Sequence, residues 1–121
     1  MERLTPAEEQ VMQALWDKGR AFVKELLEDM PEPKPAYTTV STIVRILEQK
    51  GFVGHEAFGR SHRYHPLVGR EKYGEKVLGR LVNDYFAGSP KELMSFFLER
   101  KDLDLNELDE LLKLVRQRKS Q

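Results

Sequence analysis

The stretch from Tyr37 to Pro66, YTTVSTIVRILEQKGFVGHEAFGRSHRYHP, constrains the fold more than any other part of the chain. Its first half is apolar at helical spacing. At about 100° per residue, Val40, Ile43, Val44 and Leu47 fall within a stripe roughly 80° wide. Lys50 and Gly51 then supply the cation and the left-handed stop that end a helix. Beyond them FVGHEAF alternates loosely, Gly59-Arg60 makes a turn, and SHRYHP leads back. That pattern predicts a two-stranded ribbon over Phe52–Pro66 with Arg60 at its tip and Arg63 just beyond. Phe52 and Tyr64 are expected in the core rather than as stacking platforms.

The opposite face of the predicted helix holds Thr38, Ser41, Thr42, Arg45 and Gln49. A solvated helix face normally mixes long Glu and Lys side chains, which give solubility and i,i+4 pairs. Thr and Ser are mediocre helix formers, so propensity does not explain them. Short hydroxyls let a backbone approach another surface, where they bond phosphate oxygens or base edges and their methyls touch thymine. Arg45 can fork onto guanine or a phosphate. A plainer alternative is that Thr38 or Thr39 caps the helix and the rest is quiet surface. A ribbon that follows a reading helix is a wing, and its Arg residues reach phosphates or a minor groove.

Elsewhere the pattern is helical. Thr5-Pro6-Ala7-Glu8 is a capping box with Pro at the first helical position. The first helix follows, with Val11, Met12, Leu15 and Trp16 inward, and stops at Gly19. Arg20 to Phe22 reads as a short strand pairing with the ribbon. Val23 to Met30 reads as a second helix, ended by a proline-rich stretch that cannot continue it. The order helix, strand, helix, helix, strand, strand is that of a winged helix-turn-helix.

The remaining 55 residues look like three more helices. Arg70 to Phe86 aligns Tyr73, Val77, Leu78, Leu81, Val82 and Tyr85. Ser89-Pro90 opens the next, which carries Leu93, Met94, Phe96, Phe97 and Leu98. Asp104 with Glu107 is a second capping box, ahead of Leu105, Leu108, Leu111, Leu112 and Val115. So much apolar surface on three short helices marks a partner surface. Self-association is the simplest solution, because a two-fold dimer presents two reading heads. The dimerisation residues expected are Leu78, Leu81, Phe97, Leu108, Leu111, Leu112 and Val115. The alternative is a monomer whose helices fold back on the winged domain. The fold class predicted is mainly α with a small antiparallel sheet: a winged helix-turn-helix domain over residues 1–68, then a three-helix dimerisation domain over 69–121.

Composition narrows the function. Cysteine is absent, so disulfides, thiolate metal sites and cysteine nucleophiles are excluded. No apolar run approaches the roughly 18 residues of a membrane span, and no signal-peptide pattern opens the chain, so a cytoplasmic protein without a membrane partner is expected. The formal net charge is zero, but residues 34–66 hold five Lys/Arg against two Asp/Glu, plus all three histidines. The excess is modest, so a weak non-specific electrostatic term and two copies per site are expected. The motifs of zinc proteases, nucleotide-binding loops and serine hydrolases are absent. His55, His62 and His65 converge on no evident carboxylate pair. No enzyme activity, metal or cofactor is expected.

LTPAEEQVMQALWDKG, YTTVSTIVRILEQKGFVGHE and GRSHRYHPLV together resemble the penicillinase-repressor (BlaI/MecI) family of bacterial winged-helix regulators. The resemblance covers the winged domain in order and continues more weakly through the C-terminal helices. It implies a homodimer held by the C-terminal helices, binding of a double-stranded inverted-repeat operator, and repression of transcription. By the same match, Thr38, Thr39, Ser41, Thr42 and Arg45 contact DNA, with Arg60 and Arg63 on the backbone. It also implies a regulatory protease or sensor protein as partner, since some members are released by a cut at an Asn-Phe bond. The aligned pair here is Phe96-Phe97, without the Asn. The cysteine cluster of copper-responsive relatives is missing. The rival reading is a winged-helix protein–protein interaction module without specific DNA binding, a class that tends to lose the basic wing. Arg45, Arg60 and Arg63 argue against it.

Overall fold

Thr5 begins the first helix as its sequence requires: its Oγ1 accepts the Glu8 N–H at 3.2 Å, and Glu8 Oε1 accepts the Thr5 N–H at 2.8 Å. The computed structural model describes residues 2–100 and 105–119. In it the elements run α1 (Pro6–Lys18), β1 (Ala21–Phe22), α2 (Val23–Glu28), α3 (Tyr37–Gln49), β2 (Val53–Phe58), β3 (Ser61–Pro66), α4 (Arg70–Tyr85), α5 (Pro90–Arg100) and α6 (Leu105–Lys119).

The helices of the N-terminal half bury the faces their spacing dictates. Val11, Met12 and Leu15 of α1, Leu26 of α2, and Val40, Val44 and Leu47 of α3 meet Phe52 and Val53 in one core. Burying each of the large aliphatic side chains contributes about 1.5–3 kcal/mol. α3 ends in a Schellman motif: the Gly51 N–H bonds the Glu48 carbonyl at 3.1 Å and the Phe52 N–H bonds the Leu47 carbonyl at 2.9 Å, with Gly51 at φ 83°. This stop drops Phe52 straight into the core and sets the start of β2.

The sheet is antiparallel in the order β1-β3-β2. Phe58 pairs with Ser61, so Gly59 and Arg60 form a two-residue hairpin loop. Gly59 stands at φ 61°, at the loop position where tight primed turns need a positive φ. β1 adds a third strand through Ala21 opposite Tyr64 and Phe22 opposite Arg63.

One local expectation needs correction, and one alternative falls away. α2 stops at Glu28 rather than Met30, because the Asp29 and Met30 N–H groups bond the Leu26 and Leu27 carbonyls in a tighter turn. Pro31 disfavours the helical region for Met30, whose side chain turns into the core instead. Neither Thr38 nor Thr39 caps α3. Ala36 holds the N-cap position with no side-chain bond, leaving both threonines inside the helix.

The first compact unit runs through Leu78, and the second begins at Gly79. The start of α4 is therefore packed with the winged elements. The Tyr73 hydroxyl accepts the Leu4 N–H at 3.0 Å and donates to Glu9 Oε1 at 3.2 Å, and its ring stands edge-on to Phe52 at 5.8 Å. The Trp16 indole N–H donates to the Val68 carbonyl at 2.9 Å, and Arg70 reaches Asp17 at 2.6 Å.

Within the second unit, Ala87 and Gly88 turn the chain at φ 53° and 74°. The Ser89 Oγ then accepts the Glu92 N–H at 3.2 Å and caps α5. Phe86 meets Phe96 edge-on at 5.4 Å, yet α5 buries none of its own residues. The second capping box, at Asp104, lies outside the described residues.

Glu8 is the one charged side chain buried among the described residues, at 5% exposure. Lys50 satisfies it from the end of α3, with Nζ 3.0 and 2.9 Å from its two carboxylate oxygens. Burial alone would raise the Glu8 carboxyl. The Thr5 backbone bond and the Lys50 ammonium outweigh it and hold the pKa below the ordinary 4.5. The fold therefore favours ionised Glu8. Its contribution is fully present above pH 4.5 and is lost as pH falls through the lowered value. On the other side, the Glu8 bond outweighs partial burial and raises Lys50 above its ordinary 10.5, so that contribution is full below pH 10.5 and fades as pH rises through the raised value. Glu8→Ala removes a helix cap and a buried ion-pair partner together. It is expected to cost about 2–4 kcal/mol in urea unfolding at neutral pH, with a clearly smaller cost at pH 3. Equal costs at both pH values would separate Glu8 from the acid sensitivity.

Candidate nucleic-acid interface

The inward stripe of α3 is what aims its outer face. With Val40, Val44 and Leu47 buried, Thr38, Thr39, Thr42 and Arg45 are exposed and Ser41 is half-buried. The Thr42 hydroxyl donates to the Thr38 carbonyl at 2.9 Å, which leaves its methyl and an oxygen lone pair for a partner. Arg45 Nη2 donates to Ser41 Oγ at 3.1 Å, so the guanidinium lies along the helix rather than waving free. Ile46, at the edge of the stripe, is 37% exposed.

The ribbon stands beside this face and is tied to it. His55 Nδ1 pairs with Glu48 Oε2 of α3 at 2.5 Å, and the His55 ring stacks on His62 at 4.1 Å. Tyr64, on the same face of the sheet, is buried; burial first, then the Glu48 charge, raises its hydroxyl pKa. Arg60 projects at the hairpin tip, exposed and with no ion pair among the described residues. Arg63 alternates to the other face of the strand. There its guanidinium sits 4.8 Å over the Phe58 ring and 3.4 Å from Glu56. The expected site residues thus divide into a helix set (Thr38, Thr39, Ser41, Thr42, Arg45), a wing tip (Arg60) and one arginine held by its own strand pair (Arg63).

Between α3, the start of α2 and the wing lies a groove of about 810 Å³. Ser41, Arg45 and Arg60 line it, joined by Tyr37, Lys24 and Phe58. Sequence reasoning missed these last three. Tyr37 had one visible signal, an aromatic at the first turn of a face otherwise made of short hydroxyls. Lys24 had none, because only the docking of α2 against α3 brings it near. Among the described residues no group of three or more His, Asp or Glu side chains is placed to hold a metal ion. Nor is any described helix long and apolar enough to cross a membrane.

The expected dimerisation residues lie on α4 to α6. Leu78, Leu81, Phe97, Leu111, Leu112 and Val115 are each 38–54% exposed, and Leu108 is half-buried. Met94, Phe96 and Leu98 add to the apolar surface of α5.

Comparison with known proteins gives a consistent result. The methicillin resistance regulatory protein MecI of Staphylococcus aureus is 26% identical over 113 residues, 93% of this chain and 92% of that protein. The penicillinase repressor of Bacillus licheniformis is 24% identical over 119 residues, 98% of this chain and 93% of the relative. The transcriptional regulator BlaI of Mycobacterium tuberculosis is 32% identical over 110 residues, covering 86% and 78% of the two chains. In fold, a MarR family protein from Bacillus stearothermophilus aligns over 99% of this chain and 78% of its own, with a TM-score of 0.53 at 19% identity. The family model described as penicillinase repressor matches residues 4–117, winged unit and C-terminal helices alike, and the chain belongs to that family.

Proposed function

We propose that this protein is a homodimeric, sequence-specific transcriptional repressor. In this reading residues 1–68 read DNA, residues 69–121 hold the dimer, and the operator is an inverted repeat. The observation that carries it is the outer face of α3, where exposed hydroxyls and a pre-aligned Arg45 stand beside a wing tip bearing Arg60. α3 enters the major groove with Thr38, Thr39, Ser41, Thr42 and Arg45 toward the bases and adjacent phosphates. Two heads bind half-sites about one helical turn, roughly 34 Å, or a multiple of it apart. The family relatives, named as repressors and regulators, support this reading over a protein-binding winged helix. A DNA-reading role places the protein in the cytoplasm.

Arg60 and Arg63 serve the backbone in this account. Arg60 is free to do so. Arg63 must leave Glu56, a half-exposed pair whose loss costs little. Arg60→Ala is expected to reduce the slope of log affinity against log salt by about 0.9 per copy, so by about two for a dimer. A fluorescence-anisotropy salt titration measures it, and an unchanged slope removes the wing from the interface.

A regulatory protease or sensor protein is a further proposed partner. Phe96 and Phe97 are 46% and 38% exposed but lie inside α5, so a cut between them requires that helix to open locally.

A further inference from the structure

We propose that the groove between α3 and the wing binds a small aromatic carboxylate, and that the bound molecule competes with DNA. The binding claim stands on the groove alone. Only the competition rests on the DNA-reading role of α3 and the wing.

Volume and chemistry both point to such a ligand. The groove holds about 810 Å³, within the roughly 300–1,000 Å³ of small-molecule sites. Phe22, Tyr37 and Phe58 are among its lining residues; Tyr64 also lines it but is buried, at 4% exposure, and adds little open ring surface. Tyr37 is 56% exposed, and Phe58, although the Arg63 guanidinium stands 4.8 Å over its ring and Phe22 meets it edge-on at 5.8 Å, is still 48% exposed, so apolar ring surface is left in water unless something flat covers it. Three cations, Lys24, Arg45 and Arg60, line the same space against a single acid, Glu25. Glu25 is already engaged, its Oε1 accepting the Phe22 N–H at 2.9 Å. Lys24 and Arg60 have no ion-pair partner among the described residues, and Arg45 bonds only the Ser41 hydroxyl. The groove therefore offers ring faces for stacking and uncompensated positive charge for a carboxylate. A carboxylate held by Arg45 and Arg60 occupies the two side chains proposed to meet DNA, so ligand and operator exclude one another.

2-Naphthoate serves as the probe, titrated calorimetrically into the full-length protein without DNA. Saturable binding at one site per subunit is expected. Lys24→Ala and Arg60→Ala, both at exposed positions, should each weaken it at least fivefold. Lys91→Ala in α5 should leave it unchanged, and neutral 2-naphthylmethanol should bind at least tenfold more weakly. The absence of saturable binding, indifference to both groove variants, or equal binding of the alcohol would overturn the site. In a separate anisotropy titration, saturating naphthoate should raise the apparent Kd for duplex DNA at least fivefold. Naphthoate that binds in the groove yet leaves duplex affinity unchanged would overturn the competition. It would do so by moving the DNA surface elsewhere, a failure of the DNA reading and not of the site.

Discussion

Leu112→Glu is expected to convert the proposed dimer into a folded monomer and to weaken operator binding by at least about a hundredfold. The side chain is 54% exposed in the single chain, so a carboxylate there leaves the monomer's own packing intact. In the proposed dimer the same position is buried, and an unpaired charge placed in an apolar interface costs several kcal/mol. The surrounding surface supports that burial: Leu111, Leu114 and Val115 are 42%, 50% and 49% exposed. Loss of the second head removes the effective-concentration advantage of two linked sites, commonly a factor of about 10²–10⁴. Analytical ultracentrifugation gives the oligomeric state and anisotropy gives the affinity. A variant that remains dimeric places the interface elsewhere. One that is monomeric but binds DNA as tightly as before removes the need for two copies.

Arg45→Ala is expected to be the most damaging change on the reading surface. A bidentate arginine–guanine contact discriminates by about 1–3 kcal/mol, and the dimer carries two copies, so the loss is about 2–6 kcal/mol of operator affinity. The fold should be unaffected, because Arg45 is exposed and bonds only the Ser41 hydroxyl in the free protein. Base readout has a specific signature: the preference for one base pair in each half-site relaxes while the others persist. A uniform loss on every sequence would make Arg45 a phosphate clamp.

Much of the reading head was legible in the chain because its information is local. The stripe of Val40, Val44 and Leu47 gives α3 its buried face. Gly51 gives its Schellman stop, and Gly59 gives the wing its turn. Phe52 and Tyr64 are buried as their pattern predicts. The illegible part is long-range. Lys50 reads as a cation for the end of its own helix, but it reaches Glu8, 42 residues away, because α1 and α3 dock with their ends together. Tyr73 reads as part of a C-terminal stripe, yet its hydroxyl bonds Leu4, 69 residues away. Arg63 is equivalent to Arg60 by composition, but Arg60 stands in the hairpin loop while its strand position gives Arg63 to Phe58 and Glu56. Periodicity fixes which face of an element is buried; it carries no record of which partner the rim residues meet.

The most direct test is selection of bound duplexes from a random pool, separated by gel shift and sequenced. A two-headed repressor predicts recovery of an inverted repeat whose half-sites lie about one helical turn, or a multiple of it, apart. A bound fraction with no shared motif, lost at modest salt, would contradict sequence-specific reading and leave only electrostatic attraction to the phosphate backbone.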